Sequence, residues 1–251
     1  MMNNNLYKYI LGIADNTLIL GQRLGELCGH GPSLETDIAL TNIALDLFGQ
    51  TRSYFQYTAL LVGNDKSEDD VAYMRTERDY LNVLLVEQPN RHFGYVIGRQ
   101  FLFDVYHLML LEGLQNSNDV TLAAIANKAI KEVSYHKRFS GDWVKRLGNG
   151  TAQSNQKMQE AIVGLWRYTD ELFQITEADK AMISEGIGAD VSNFKESYYK
   201  EVSEVLNEAT LTVPESKYFT SGGKKGIHTE HMGYILTDLQ YMQRTYPNMK
   251  W

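Results

Sequence analysis

The stretch from Asp37 to Val62, DIALTNIALDLFGQTRSYFQYTALLV, constrains this chain more than any other. Apolar residues recur every second or third position, with one glycine and no proline, so the pattern at this length predicts a helix rather than a strand. Ile38, Leu40, Ile43, Leu45, Leu47 and Phe48 spread over most of the circumference, which predicts a helix buried in a bundle core. Asn42, Asp46 and Gln50, at i, i+4 and i+8, form one polar row along that helix. A buried polar group without a partner costs about 1–3 kcal/mol, so this row needs company. Two explanations stay open: a satisfied core network, or a ligand site, because bundle cores are where helical proteins place di-metal centres.

Composition narrows the classes. The 251 residues contain no Pro/Gly/Ser linker, low-complexity tract or fixed-period repeat, so a single domain over 1–251 is expected. Lys plus Arg is 24 against 31 for Asp plus Glu, a net charge of −7 with no dense basic patch, which argues against nucleic acid as the main partner. The lone Cys28 cannot form an internal disulfide and suits a reducing cytoplasm. MMNNNLYKYI lacks the basic-then-apolar order of a signal peptide, and no apolar run is long enough to span a bilayer. A cytoplasmic protein with no membrane partner is expected.

Along the chain, helices are expected over about Leu6–Cys28, from Pro32/Ser33 through Val62, and from KSEDD to just before Pro89, with a turn at Gly63-Asn64-Asp65. Further helices are expected over about Phe93–Gln115, from an Asn118-Asp119 cap to Leu147, from a Thr151 N-cap to Phe173, over Thr176–Gly186, over Val191–Thr210 and over His228–Tyr246. The segment LTVPESKYFTSGGKKG is expected as a flexible loop. This is an all-α bundle with long antiparallel hairpins and peripheral helices, and such pairs point to a ferritin-like architecture.

A carboxylate-bridged di-iron site in such a bundle needs two Glu-x-x-His pairs, because a spacing of three sets carboxylate and imidazole on one helix face. The residues three before the six histidines are Leu27, Pro89, Asp104, Val133, Lys225 and His228. No Glu-x-x-His occurs. Asp104 and His107 are expected to share a core hydrogen bond rather than to make half a metal site. His228 and His231 share a face beside Glu230 but lack a third zinc ligand at a recognisable spacing. GGKKG lacks the Walker A spacing, although Lys224 and Lys225 have the charge to meet an anion or an acidic partner.

Several longer strings carry a resemblance: RLGELCGH (23–30), LDLFGQ (45–50), LLVEQPN (84–90), RLGNGT (146–151), NEATL (207–211) and GGKKGIHTEHMG (222–233). In this order they resemble the C-subunit family of the bacterial ring 1,2-phenylacetyl-CoA epoxidases, multicomponent monooxygenases of aerobic phenylacetate breakdown, from about Leu6 to Trp251. The resemblance implies a ferritin-like bundle that pairs with a homologous A-type catalytic subunit. That partner holds the di-iron centre and most of the phenylacetyl-CoA. It further implies a small additional subunit and a separate reductase that brings electrons from NADPH, with no cofactor in this chain. Metal-bearing relatives carry D-E-L-G-H where this chain keeps Asp46 and Gly49 but has Leu47 for Glu and Gln50 for His. On the later helix His136 persists, but Val133 stands at the carboxylate position. Asp46, Leu47, Gln50, Val133 and His136 are therefore expected as vestigial metal-site positions, with no catalytic residue and no metal. Asp79, Tyr80, Asn82, Lys224 and Lys225 are the residues expected to face substrate or partner. Two alternatives remain: an oxygenase using atypical ligands among Asp46, Asp104, His107, Glu132 and His136, and a free-standing helical binding protein.

Overall fold

In the computed structural model, residues 4–63, 66–216, 218–247 and 249 are described; Asn64 and Asp65 of the expected turn, and the chain ends at 1–3 and 250–251, lie outside them. The first hairpin is α1 (Asn4–Gly25) and α2 (Leu34–Val62). Ser33 sets the start of α2 by accepting the Thr36 N–H at 3.3 Å, so one orphan donor of the first turn is satisfied. After α2 come α3 (Glu68–Tyr73), a single 3₁₀ turn at Glu77–Asp79 and a short α4 (Leu84–Glu87). The second hairpin is α5 (Phe93–Leu114) and α6 (Val120–Gly148), the latter capped by Asp119. Around these lie α7 (Ala152–Trp166), α8 (Glu177–Ser184), α9 (Lys195–Glu208) and α10 (Glu230–Thr245). The helix expected to reach Phe173 stops at Trp166, and 3₁₀ turns cover 170–173 and 191–194.

The two hairpins lie side by side, α1 along α2 and α5 along α6, with α2 meeting α6 between them. Every regular element among the described residues is helical, and the arrangement is a ferritin-like bundle with peripheral helices. No helix is long and apolar enough to cross a membrane.

Two expectations need correction. The helix enclosed on all sides is α5, where nearly every residue from Gly94 to Leu111 is buried. On α2, Leu34, Ile38, Leu45 and Leu60 are 72, 51, 61 and 80 % exposed. Their spacing puts them on one stripe of the helix. An apolar residue at most positions of α2 thus reflects two different faces, one inside and one open.

The second correction is the helix expected up to Pro89. Tyr80–Val83 is instead extended, because side chains from distant elements take its backbone donors. Leu81 N–H donates to Asp15 Oδ2 at 2.9 Å, Val83 N–H to Asn16 Oδ1 at 2.8 Å and Leu84 N–H to Glu171 Oε2 at 2.7 Å. Backbone groups satisfied this way have no need of helical carbonyls. Arg75 closes the arrangement with an ion pair to the buried Asp15 at 2.5 Å and lies 4.0 Å over the Tyr80 ring.

Candidate functional site

The polar side chains that bear on the expected site residues gather at three places. The first is the seam between α2 and α6. Asp46 Oδ2 lies 3.0 Å from His136 Nε2, and Gln50 Nε2 donates to Glu132 Oε2 at 3.0 Å. Asn42, the third member of the expected polar row, is exposed and makes neither bond. Leu47 and Val133 are fully buried beside this seam, apolar where the metal-bearing pattern would put carboxylates. Burial lowers the His136 pKa, with the Asp46 bond and charge opposing. Burial raises that of Glu132, opposed by the Gln50 bond and helped by the Asp46 charge.

Deeper in the seam, Asp104 accepts from Gln100 at 2.6 Å and from Ser140 at 2.8 Å. It does not bond to His107, so the expected Asp104–His107 hydrogen bond is absent. Both ring nitrogens of His107 are buried without a partner, as are His136 Nδ1, Gln50 Oε1, Gln100 Oε1 and the Tyr54 hydroxyl. Burial drives the Asp104 carboxyl well above the usual range and drives His107 down to about 3. Burial thus disfavours charge on both groups, and His107 is a neutral imidazole at neutral pH. Among the described residues no three His, Cys, Asp or Glu side chains converge in a metal-binding arrangement.

The second place is the strap between α9 and α10. His228 is turned inward, with Nδ1 2.5 Å from Glu87 Oε1 and Nε2 3.0 Å from the Tyr80 carbonyl. Glu87 also accepts from Asn82 Nδ2 at 3.0 Å, Thr229 N–H at 2.9 Å and the Thr229 hydroxyl at 2.6 Å. His228 is therefore committed to Glu87 and Tyr80, whereas His231 lies 3.8 Å from the Glu230 carboxylate. The expected shared face of two histidines is not formed. Nothing in sequence spacing pairs residues 87 and 228, so sequence reasoning misses the latch between them. Glu171 ties the same strap down by accepting from Gly222 N–H at 2.7 Å.

The third place is a cleft of about 470 Å³ between α1, the 3₁₀ turn, the start of α8 and the strap. It brings together Asp79, Lys224 and Lys225 from the expected partner-facing set. Tyr80 and Asn82 are not at its surface: both are fully buried, Tyr80 donating to the Ala72 carbonyl at 2.5 Å and Asn82 to Glu87. Alternation along an extended segment sends these two side chains inward, which a helical reading of 77–88 could not anticipate.

The chain matches the family described as Phenylacetic acid catabolic protein over residues 1–251. It is 51 % identical over 248 residues to the Escherichia coli (strain K12) protein named as the C subunit of 1,2-phenylacetyl-CoA epoxidase, covering 99 % of this chain and 100 % of that relative. The chain belongs to the phenylacetic acid catabolic family.

Proposed function

From that membership we propose that the chain is the structural, non-catalytic member of a phenylacetyl-CoA 1,2-epoxidase assembly, pairing with and stabilising a homologous catalytic subunit. The observation that carries the reading is the open apolar stripe of α2, Leu34, Ile38, Leu45 and Leu60, on a helix whose opposite face is core. A long helix with two apolar faces is built to be covered on both. The relative's name supplies the assembly, since it is itself called a subunit.

The seam between α2 and α6 supports the non-catalytic half. A di-iron centre needs ionised carboxylates and accessible imidazoles. Here Leu47 and Val133 offer no donor atom, Gln50 turns its amide N–H onto Glu132, and Asp104 is already engaged by Ser140 and Gln100. The residues do not fit the metal, and the atypical set of Asp46, Asp104, His107, Glu132 and His136 is not arranged as one cage. Replacing buried charges by leucine, valine and amides leaves stability unharmed or improved. In this reading iron, phenylacetyl-CoA and the chemistry of ring epoxidation belong to the partner, and NADPH reaches it through a separate reductase. The assembly is completed by a small additional subunit.

The test is co-expression with the catalytic-type subunit, followed by iron analysis per chain. Iron confined to the partner, with both chains co-purifying, is the expected result. Stoichiometric iron in this chain alone would make it an oxygenase in its own right, and failure to co-purify would make it a free-standing protein. Leu45→Asp should abolish co-purification while changing the isolated chain's stability by less than about 0.5 kcal/mol, because the site is exposed.

A further inference from the structure

The cleft between α1 and the strap is unlike the rest of this acidic chain. Its lining includes four cations, Lys8, Arg78, Lys224 and Lys225, and three carboxylates, Asp79, Glu177 and Asp179. The carboxylates are all engaged nearby. Asp79 accepts from the Thr76 N–H at 2.8 Å and its hydroxyl at 2.6 Å, and Asp179 accepts from the Thr176 N–H at 2.7 Å and its hydroxyl at 2.8 Å. Glu177 pairs with Lys180 at 2.7 Å.

The cations are treated differently. Lys8, Arg78 and Lys225 make no side-chain hydrogen bond or ion pair among the described residues, although they approach from three separate elements. Lys224 spends two protons on the carbonyls of Leu172 and Gln174, at 3.0 and 2.8 Å, which fixes its ammonium at the wall. An ammonium has a third proton to offer. Behind these charges Leu11, Ile13, Leu81 and Leu110 form an apolar floor with Tyr9 and Tyr106. Tyr106 is only 3 % exposed, and no group among the described residues engages its hydroxyl. A hydroxyl so nearly buried on a cleft wall, with its hydrogen-bonding capacity unspent within the chain, is placed to meet a polar group entering the cleft.

We propose that this cleft binds a phosphate monoester with a flat apolar body, the phosphate meeting Arg78, Lys225 and Lys8 and the body lying on the floor toward Tyr106. Arg presents a planar fork matched to phosphate oxygens, and lysines supply charge without fixed geometry. The volume of about 470 Å³ lies within the range of small-molecule pockets, and the lining combines apolar side chains with convergent charged groups, as an amphipathic ligand requires. The cleft shares no residue with the open stripe of α2 on which the subunit pairing proposed above rests.

The probe is 1-naphthyl phosphate, titrated by fluorescence into the full-length chain at low ionic strength. Saturable one-to-one binding is expected, with 1-naphthol and inorganic phosphate each at least about tenfold weaker, since each lacks one half of the recognition. Arg78→Ala combined with Lys225→Ala should weaken the probe by about tenfold or more, and added salt should weaken it further. Tyr106→Phe should weaken it about threefold, a smaller loss because a neutral hydroxyl is the only group removed. Both cations are exposed and unbonded, so the double variant retains its melting temperature and remains a fair comparison. Absence of saturation, unchanged affinity in the double variant, or phosphate or naphthol matching the ester would each overturn the proposal.

Discussion

At the scale of single residues, His228 has the most determined state in the molecule. Both ring nitrogens face acceptors, the Glu87 carboxylate and the Tyr80 carbonyl, so both must carry a proton. Burial works against the charge, but the bond to Glu87 and its field prevail and the pKa is raised. A pKa above the unfolded value of about 6.5 means the folded state holds this proton more tightly. The stabilisation is complete below that value and is lost as pH rises through the folded pKa. His228→Gln should cost about 3 kcal/mol near pH 6, because Glu87 is left buried without its cation. Thermal melts of both proteins should show the gap narrowing toward pH 9. Asp104 has the opposite dependence. Its raised pKa keeps the folded state protonated after the unfolded carboxyl has ionised above about 3.9, so it subtracts stability as pH rises. Asp104→Asn, an uncharged isostere, should therefore gain on the wild type between pH 4 and pH 8. A constant difference across that range would show Asp104 to be ionised in the fold.

At the scale of elements, the strap is pinned rather than flexible. GGKKG reads as a loose loop from composition, yet Gly223 is buried so closely that a Cβ would stand 2.1 Å from the Asn82 carbonyl oxygen. Gly226 has φ +72 and presses on the Arg78 carbonyl, a position where an L side chain is strained. Gly223→Ala should cost about 2 kcal/mol, in line with overpacking at a site with no room. Chemical denaturation would measure it, and a change under about 0.5 kcal/mol would mean the strap rides loosely. The strap, the extended 80–83 segment and Glu171 form one unit, since each supplies bonds the others lack. This unit makes one wall of the cleft and holds Lys224 and Lys225 at it.

At the scale of the whole molecule, the bundle presents two separate surfaces. One is the apolar stripe of α2, facing outward beside the α2–α6 seam. The other is the cation-rich cleft between α1 and the strap. The seam itself is filled by Leu47 and Val133 beside the Asp46–His136 and Gln50–Glu132 pairs. The iron analysis and the Leu45→Asp variant address the first surface, and the naphthyl phosphate titration addresses the second. They share no residues, so the two tests act on different side chains.

The sequence by itself determined the helical class, the capped starts at Ser33, Asp119 and Thr151, and the absence of any Glu-x-x-His. These are local properties, carried by periodicity and by residues three or four apart. The grouping of Asp46, Leu47, Gln50, Val133 and His136 came from the family resemblance rather than from spacing, and the packing of α2 on α6 brings Asp46 to His136 and Gln50 to Glu132. What only the tertiary structure decided is how distant segments satisfy one another. Asp15, Asn16 and Glu171 taking the backbone donors of 81–84 broke a helix that local pattern favoured. Glu87 and His228 meet across 141 positions of chain. Which face of α2 stays open follows from where α1 and α6 pack, and an apolar side chain has the same periodicity whether it meets the core or a surface left bare.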